Sequence, residues 1–199
     1  KNKDPYKKPT NRIDERNTMF SRDHLVKNTK NYQNYYKKYP DKKAIDDKIH
    51  ENPGLLSNSS KFYQKQWFQA AETNFDRVKK LRSKVNGKIS QEKIESNPKS
   101  NTEFIKKWLK ELGAASSGIT ALEDYHIYSY GGRDERYGQK FENEHQFAIA
   151  FTVPMDFRMV KSAPQASMIF ESSRRYLQSA QFAILIAEYI RSRGYSARA

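Results

Sequence analysis

The sequence predicts an α+β fold, because two kinds of apolar periodicity follow one another along the chain. Apolar residues recur every three or four positions through 60–82 and again through 171–193, which is the period of an amphipathic helix. Residues 146–153 alternate instead, with one apolar and one small face, which is the period of a strand. Helices before and after a strand predict layered packing of helices on a sheet.

Charge divides the chain into two regions. Residues 1–100 hold 24 Lys and Arg against 12 Asp and Glu, whereas residues 101–199 hold 13 against 11. We therefore expect a basic, partly extended and partly helical N-terminal region over 1–100 and the α+β region over 101–199. The chain has no cysteine, so it contains no disulfide and no thiolate ligand for a cluster or zinc.

The first hundred residues predict an arm followed by helices. Residues 1–30 contain Pro5 and Pro9 and an apolar group around Phe20, which predicts an extended arm with a few anchors. Tyrosines and lysines are interleaved in 31–39, which fits either a surface for stacking nucleic-acid bases or an amphipathic segment whose tyrosines lie on the protein body. We favour packing. A short helix is expected from Pro40, and the helix over 60–82 is the stronger one.

Capping residues set the expected ends of the next elements. Ser100 and Glu103 have the spacing of a capping box, and Gly113 stands where a left-handed C-terminal cap is wanted. The partner of the 146–153 strand is expected around 119–130. The last helix is expected to end at Gly194.

Common catalytic motifs are absent from the sequence. There is no Gly-rich phosphate loop and no G-x-S-x-G elbow, and no two of the four histidines are spaced for a helical metal site. Asp124-Tyr125-His126 resembles part of the D-x-H-x-x-G element of corrinoid carriers, but Ser129 occupies the glycine position. A structural role is therefore the favoured interpretation of His126.

A series of motifs in residues 119–199 resembles the corrinoid-binding core of respiratory reductive dehalogenases. In order these are Gly132-Arg133, Tyr137-Gly138, His145, the strand from Phe147, Met155-Asp156, Ala163-Pro164, Tyr176 and the ending Ile190-Arg191-Ser192-Arg193-Gly194-Tyr195-Ser196-Ala197. Epoxyqueuosine reductase is similar over the same region. The segment Arg16–Arg22 resembles the N-terminal part of the dehalogenases, and residues 31–100 match neither family.

The resemblance implies a nitroreductase-like layered core, incomplete in this chain. It implies a cobalamin-type corrinoid with its lower base detached, whose cobalt has no histidine ligand and removes halogen from an organohalide. Two [4Fe–4S] clusters supply the electrons in that family. This chain has no cysteine to ligate them, so we expect the clusters and the rest of the corrinoid pocket in residues after Ala199, and we expect this segment alone to be inactive.

The same resemblance assigns the candidate site residues. Tyr176 corresponds to the tyrosine that donates a proton to the carbon after halide departure, and Ser172 and Phe20 correspond to residues that line the substrate pocket. Arg133 is the candidate for contact with the corrinoid side chains. The alternatives are that Tyr176 packs as a helix core residue, that Phe20 is only an anchor, and that Arg133 forms a structural ion pair.

The proton donor also has a physical requirement. A phenol is a weak acid, so a nearby cation that stabilises the phenolate would make proton donation easier. Arg174 and Arg175 are adjacent to Tyr176 in sequence, although family members take this cation from downstream residues.

The resemblance also implies location and partners. Family members are exported to the outer face of the cytoplasmic membrane, serve organohalide respiration, and work with a membrane anchor or an electron-donor protein. Two other functions stay open: an epoxyqueuosine reductase-like enzyme acting on tRNA, which would be cytoplasmic, and a basic nucleic-acid-binding module. We do not expect a nucleic-acid partner.

Overall fold

The computed structural model describes residues 9–199 and has a mixed helix and strand fold, which confirms the α+β prediction. The chain divides into two compact units. The first comprises residues up to Gly54 together with Ala121–Gln146, and the second comprises Leu55–Thr120 together with Phe147–Ala199.

The first unit contains three short helices, α1 (Met19–Asp23), α2 (Lys30–Lys38) and α3 (Pro40–His50). Thr18 and Thr29 cap α1 and α2 by accepting backbone N–H groups, and proline opens α3. The core consists of Leu25 with three tyrosines of α2: Tyr32, Tyr35 and Tyr36. The tyrosines of 31–39 therefore pack on the protein body, as favoured above.

The predicted arm is partly helical and is tied to the second segment of the same unit. Residues Glu15–Asn17 form a 3₁₀ turn that leads into α1. The backbone N–H of Glu15 donates to the carbonyl of Tyr130 at 3.1 Å, and that of Ser129 donates to the carbonyl of Ile13 at 2.9 Å. These two backbone bonds join the arm to 129–130.

The second unit contains α4 (Lys65–Leu81), α5 (Pro98–Glu111), β1 (Ser116–Ala121), β2 (Phe147–Thr152), α6 (Phe157–Lys161) and α7 (Ala166–Ser192). The strands β1 and β2 form a two-stranded antiparallel sheet. Ile149 and Phe151 of β2 pack against a core that includes Leu109 of α5 and Phe182 of α7. The predicted packing of the last helix on the 146–153 strand is therefore confirmed.

Three expected boundaries were wrong. Asn97, and not Ser100, caps α5, because the Asn97 side chain accepts the backbone N–H groups of Lys99 and Ser100. The partner strand is 116–121, earlier than the expected 119–130. The last helix begins at Ala166, five residues before the expected Glu171, because its first turn, which includes Ala166 and Ser167, carries no apolar stripe in the sequence.

Two glycines end helices as predicted. Gly113 after α5 has φ +100° and Gly194 after α7 has φ +83°, both in the left-handed region. A Cβ at Gly194 would lie 2.6 Å from the carbonyl oxygen of Glu92, so the close approach of the Glu92 backbone to position 194 also requires glycine.

No helix within residues 9–199 is long and apolar enough to cross a membrane.

Candidate functional site

Tyr176 lies on the exposed side of α7. Its side chain is 60% exposed, and its ring centroid lies 5.9 Å from that of Phe75 on α4. The phenol oxygen forms no hydrogen bond with any described residue, whereas those of three tyrosines of α2 do. The hydroxyl is therefore accessible to a ligand, while the ring is supported on one side by α4.

Tyr176 lies well inside α7. Because α7 begins at Ala166, Tyr176 is nearly three turns into the helix and not in its first turn. Its hydroxyl therefore extends from the side of α7 and not beyond its end. A residue in the middle of a helix, unlike one at its end, has neighbours one turn before it and one turn after it on the same side.

Glu171, five residues before Tyr176 on α7, forms an ionic cluster with Arg174 and Arg175. The Glu171 side chain is fully buried. It accepts from Arg174 Nη2 at 2.5 Å, from Arg175 Nε at 2.7 Å and from the backbone N–H of Asp156 at 2.6 Å. Burial alone would raise the pKa of Glu171, but the Asp156 N–H and the two guanidinium groups outweigh it and lower that pKa.

In this cluster both arginines are paired with Glu171. Both guanidinium groups are bound to Glu171, and Arg175 Nη1 also donates to Gln178 Oε1 at 2.7 Å. Neither arginine contacts the Tyr176 hydroxyl. Among residues 9–199, no side chain forms a hydrogen bond with the Tyr176 hydroxyl.

Ser172 lies one turn before Tyr176 on the same helix and is half-buried. Its hydroxyl makes no hydrogen bond to another described residue. The neighbouring Ser173, in contrast, is fully buried and accepts from Asn74 Nδ2 of α4 at 3.1 Å. Ser173 thus anchors α7 to α4, while Ser172 keeps its hydroxyl available.

Phe20 lies on α1 in the first unit and is 68% exposed. It lines a groove of about 190 Å³ together with Met19, Ile49 and His50. The floor of that groove includes Asp46, which is buried and paired with Arg22 at 2.7 Å. Phe20 is therefore an accessible aromatic side chain and is not packed in the core of its unit.

Arg133 also belongs to the first unit and forms an ion pair. Its Nε and Nη2 donate to Glu15 Oε1 at 3.1 and 2.9 Å, and the backbone N–H of Gly132 donates to Glu15 Oε2 at 2.8 Å. Glu15 is 3% exposed, so this carboxylate fixes the arm onto the turn at Gly132. The structural ion pair named as the alternative for Arg133 is present, and contact with a corrinoid stays a prediction.

The Asp124-Tyr125-His126 segment is a 3₁₀ turn with structural contacts. His126 Nδ1 accepts the backbone N–H of Glu123 at 3.0 Å, and Asp124 forms a salt bridge with Arg12. Among residues 9–199, no three His, Cys, Asp or Glu side chains come together as a metal site.

Sequence reasoning missed the buried ionic residues. Glu171 could have been found from its spacing, since Arg174 and Arg175 follow at three and four residues on a helix. Asp46 and Glu15 offered no such pattern, because their arginine partners are 24 and 118 residues away.

Comparison with known proteins adds no family: no protein-family model matches the chain, and no curated protein sequence matches it.

Proposed function

We propose that the chain is the corrinoid-binding portion of a reductive dehalogenase with a nitroreductase-like core. The observation on which the proposal depends is the ordered series of motifs from Gly132 to Ala197, which ends in Ile-Arg-x-x-Gly-Tyr-x-Ala. The α+β packing of α7 on β2 is compatible with such a core.

Tyr176 is the proposed proton donor. Its hydroxyl is exposed and makes no hydrogen bond with a described residue, as a general acid facing a bound substrate requires. Phe75 supports the ring from one side, so that removal of the hydroxyl alone leaves the packing in place. The proton would leave the phenol oxygen for the carbon that has lost its halide.

Ser172 and Phe20 are the proposed contacts with substrate, and Arg133 is the proposed contact with the cofactor. Ser172 presents a hydroxyl on the same side of α7 as Tyr176, and Phe20 presents an exposed aromatic ring. Arg133 keeps 39% of its side chain exposed despite its pair with Glu15, so part of the guanidinium is still accessible.

In this proposal the bound cofactor, and not a protein side chain, supplies the chemistry that removes the halogen. A bound corrinoid would supply the reduced cobalt that removes the halogen. The residues that fit such a group here are those around Tyr176, where a free hydroxyl and a half-buried serine share one side of α7. Arg174 and Arg175 are bound to Glu171, so neither is the proposed cation for a Tyr176 phenolate.

The proposal extends to electron supply, substrate and location. The substrate is an organohalide, and electrons come from two [4Fe–4S] clusters whose ligands lie outside this cysteine-free chain. The enzyme would be exported to the outer face of the cytoplasmic membrane and would work in organohalide respiration with a membrane anchor or an electron-donor protein.

The decisive experiment compares Tyr176→Phe with the parent in the enzyme that also contains the cluster-binding residues. We expect the variant to retain corrinoid and to lose turnover by about 10²–10⁴-fold, as loss of a general acid does. Tyr189→Phe is the matched control, because Tyr189 lies on the same helix and contacts Trp108 through its ring. Turnover of Tyr176→Phe within a few-fold of the parent would show that Tyr176 is a packing residue.

A further inference from the structure

A basic patch lies in the second unit where α4 ends. It consists of six exposed residues, Arg77, Lys79, Lys80, Arg82, Lys84 and Lys88. No Asp or Glu occurs between the first and the last of them. Lys79 pairs with Asp76 at 3.0 Å, but Lys80, Lys84 and Lys88 form no ion pair with any residue of the described part of the chain. The patch therefore has an excess of positive charge that the fold does not neutralise.

An open groove of about 410 Å³ adjoins this patch. Lys84, Asn86 and Lys88 line one side, and Arg191 and Ser192 of α7 line the other. A single carboxylate, that of Glu188, also borders the groove. With three cations against one anion, the groove favours an anionic ligand.

Arg191 gives the groove a fixed positive charge. Its side chain is 4% exposed, and it donates to the carbonyl oxygens of Lys84 and Val85 at 3.2 Å and of Ala197 at 2.9 Å. These bonds occupy three of its five N–H groups, and no carboxylate neutralises it among residues 9–199. A Cβ at Gly87 would lie 3.0 Å from Arg191 Nε, so glycine allows the loop to pass this close to the guanidinium.

Asn86 also lines this groove. The Asn86 Oδ1 accepts from Arg198 Nη1 at 3.3 Å, and this bond does not use the N–H groups of the Asn86 amide. The groove thus combines ammonium and amide donors beside a buried guanidinium. Ammonium and guanidinium groups bind the oxygens of a phosphate well, because charge-assisted hydrogen bonds are short and strong.

Exposed aliphatic side chains near the groove favour a lipid headgroup over a nucleic acid as the source of the phosphate. Ile89 follows Lys88 and is 45% exposed, and Ile94 is 41% exposed. The segment between them is tied to α7, because Ser90 N–H donates to the Arg191 carbonyl at 2.9 Å. There is no aromatic residue in 77–90 on which a base could stack. Lysines next to exposed aliphatic residues are typical of segments that bind anionic membranes.

We propose that the basic patch and its groove bind the surface of an anionic phospholipid bilayer, with a headgroup phosphate in the groove beside Arg191. The aliphatic side chains of Ile89 and Ile94 then face the headgroup layer. This proposal rests on the surface chemistry of the second unit and is independent of the proposed dehalogenase function.

The test is co-sedimentation of the 199-residue chain with vesicles. One set contains phosphatidylcholine alone, and the other contains equal parts of phosphatidylcholine and phosphatidylglycerol. We expect binding to the anionic vesicles only, and we expect added salt to weaken it. The variant Lys84→Gln/Lys88→Gln should bind the anionic vesicles about 25-fold more weakly, since each lysine at a membrane surface contributes about fivefold.

The matched control is Lys106→Gln/Lys107→Gln on α5, which removes the same charge from exposed positions outside the patch. It should bind within about threefold of the parent, because charges distant from the membrane are screened. Circular dichroism checks that both variants are folded. Equal losses in the two variants, equal binding to neutral vesicles, or binding to duplex RNA but not to anionic vesicles would overturn the proposal.

Discussion

Replacing Glu171 by glutamine should destabilise the second unit markedly. The Glu171 carboxylate is fully buried and is bound to two arginines and one backbone N–H. Glutamine keeps the shape and one acceptor oxygen. It loses the negative charge, and its amide nitrogen presents hydrogens to a guanidinium that can only donate.

The exposure of the two arginines sets the size of the effect. Removing one member of a buried ion pair costs about 3–5 kcal/mol when the other stays buried. Here Arg174 and Arg175 are 43% and 21% exposed, so water can hydrate both guanidinium groups after the substitution. We therefore expect a loss of roughly 2–3 kcal/mol in the free energy of unfolding, near the value for one hydrogen bond to a charged group. This corresponds to a fall in Tm of about 4–12 °C.

The assay is urea unfolding followed by circular dichroism at several pH values. Because the pKa of Glu171 is lowered in the folded state, its contribution to stability is complete above the unfolded value of about 4.3 and is lost as pH falls through the folded value. The difference between parent and Glu171→Gln should therefore narrow in acid. Glu188→Gln, an exposed change on the same helix, should stay within about 0.5 kcal/mol of the parent. A Glu171→Gln variant as stable as this control, or a difference that does not change with pH, would refute the reasoning.

Four further substitutions test three other contacts, and urea unfolding measures each one. Asn97→Ala should lower the free energy of unfolding by about 1 kcal/mol and Ser100→Ala by less than about 0.5 kcal/mol, because Asn97 is the cap of α5. A larger loss for Ser100→Ala than for Asn97→Ala would support Ser100 as the capping residue instead. Gly194→Ala should cost at least about 1 kcal/mol because φ is +83°, and a neutral result would contradict the left-handed cap. Tyr36→Phe should cost about 1.5–3 kcal/mol, because the Tyr36 hydroxyl donates to the buried Asp46 carboxylate at 2.9 Å; no loss would mean that this bond is not formed.

Periodicity and capping residues predicted the main elements of the second unit. The strand at 147–152 and the helices α4 and α5 lie within a few residues of their expected positions. These elements are visible in the sequence because each buries one face, and burial imposes a period on the residues of that face. The glycine ends of α5 and α7 were also predictable, because few other residues adopt a positive φ without strain.

The boundaries and the ionic contacts were less predictable. The first turn of α7 contains Ala166, Ser167 and Met168, whose small and polar members gave no apolar stripe, so the helix start was placed too late. The pair of Glu15 with Arg133 joins segments 118 residues apart, and nothing in the local sequence marks such a partner. For the candidate site, the sequence indicated Tyr176, whereas the binding of Arg174 and Arg175 to Glu171, which their spacing allowed, was not predicted.

The aromatic contacts of α7 make the second unit convenient for spectroscopy. The chain has 2 tryptophans, and each reports on a different helix pair. Trp67 of α4 lies 5.0 Å from Phe170, and Trp108 of α5 lies 5.5 Å from Tyr189, both measured between ring centroids. A Trp67→Phe variant would leave an emission that follows the α5–α7 contact, and Trp108→Phe would leave one that follows α4–α7. Fluorescence of these two single-tryptophan proteins would therefore show in which order the helices separate from α7 during unfolding.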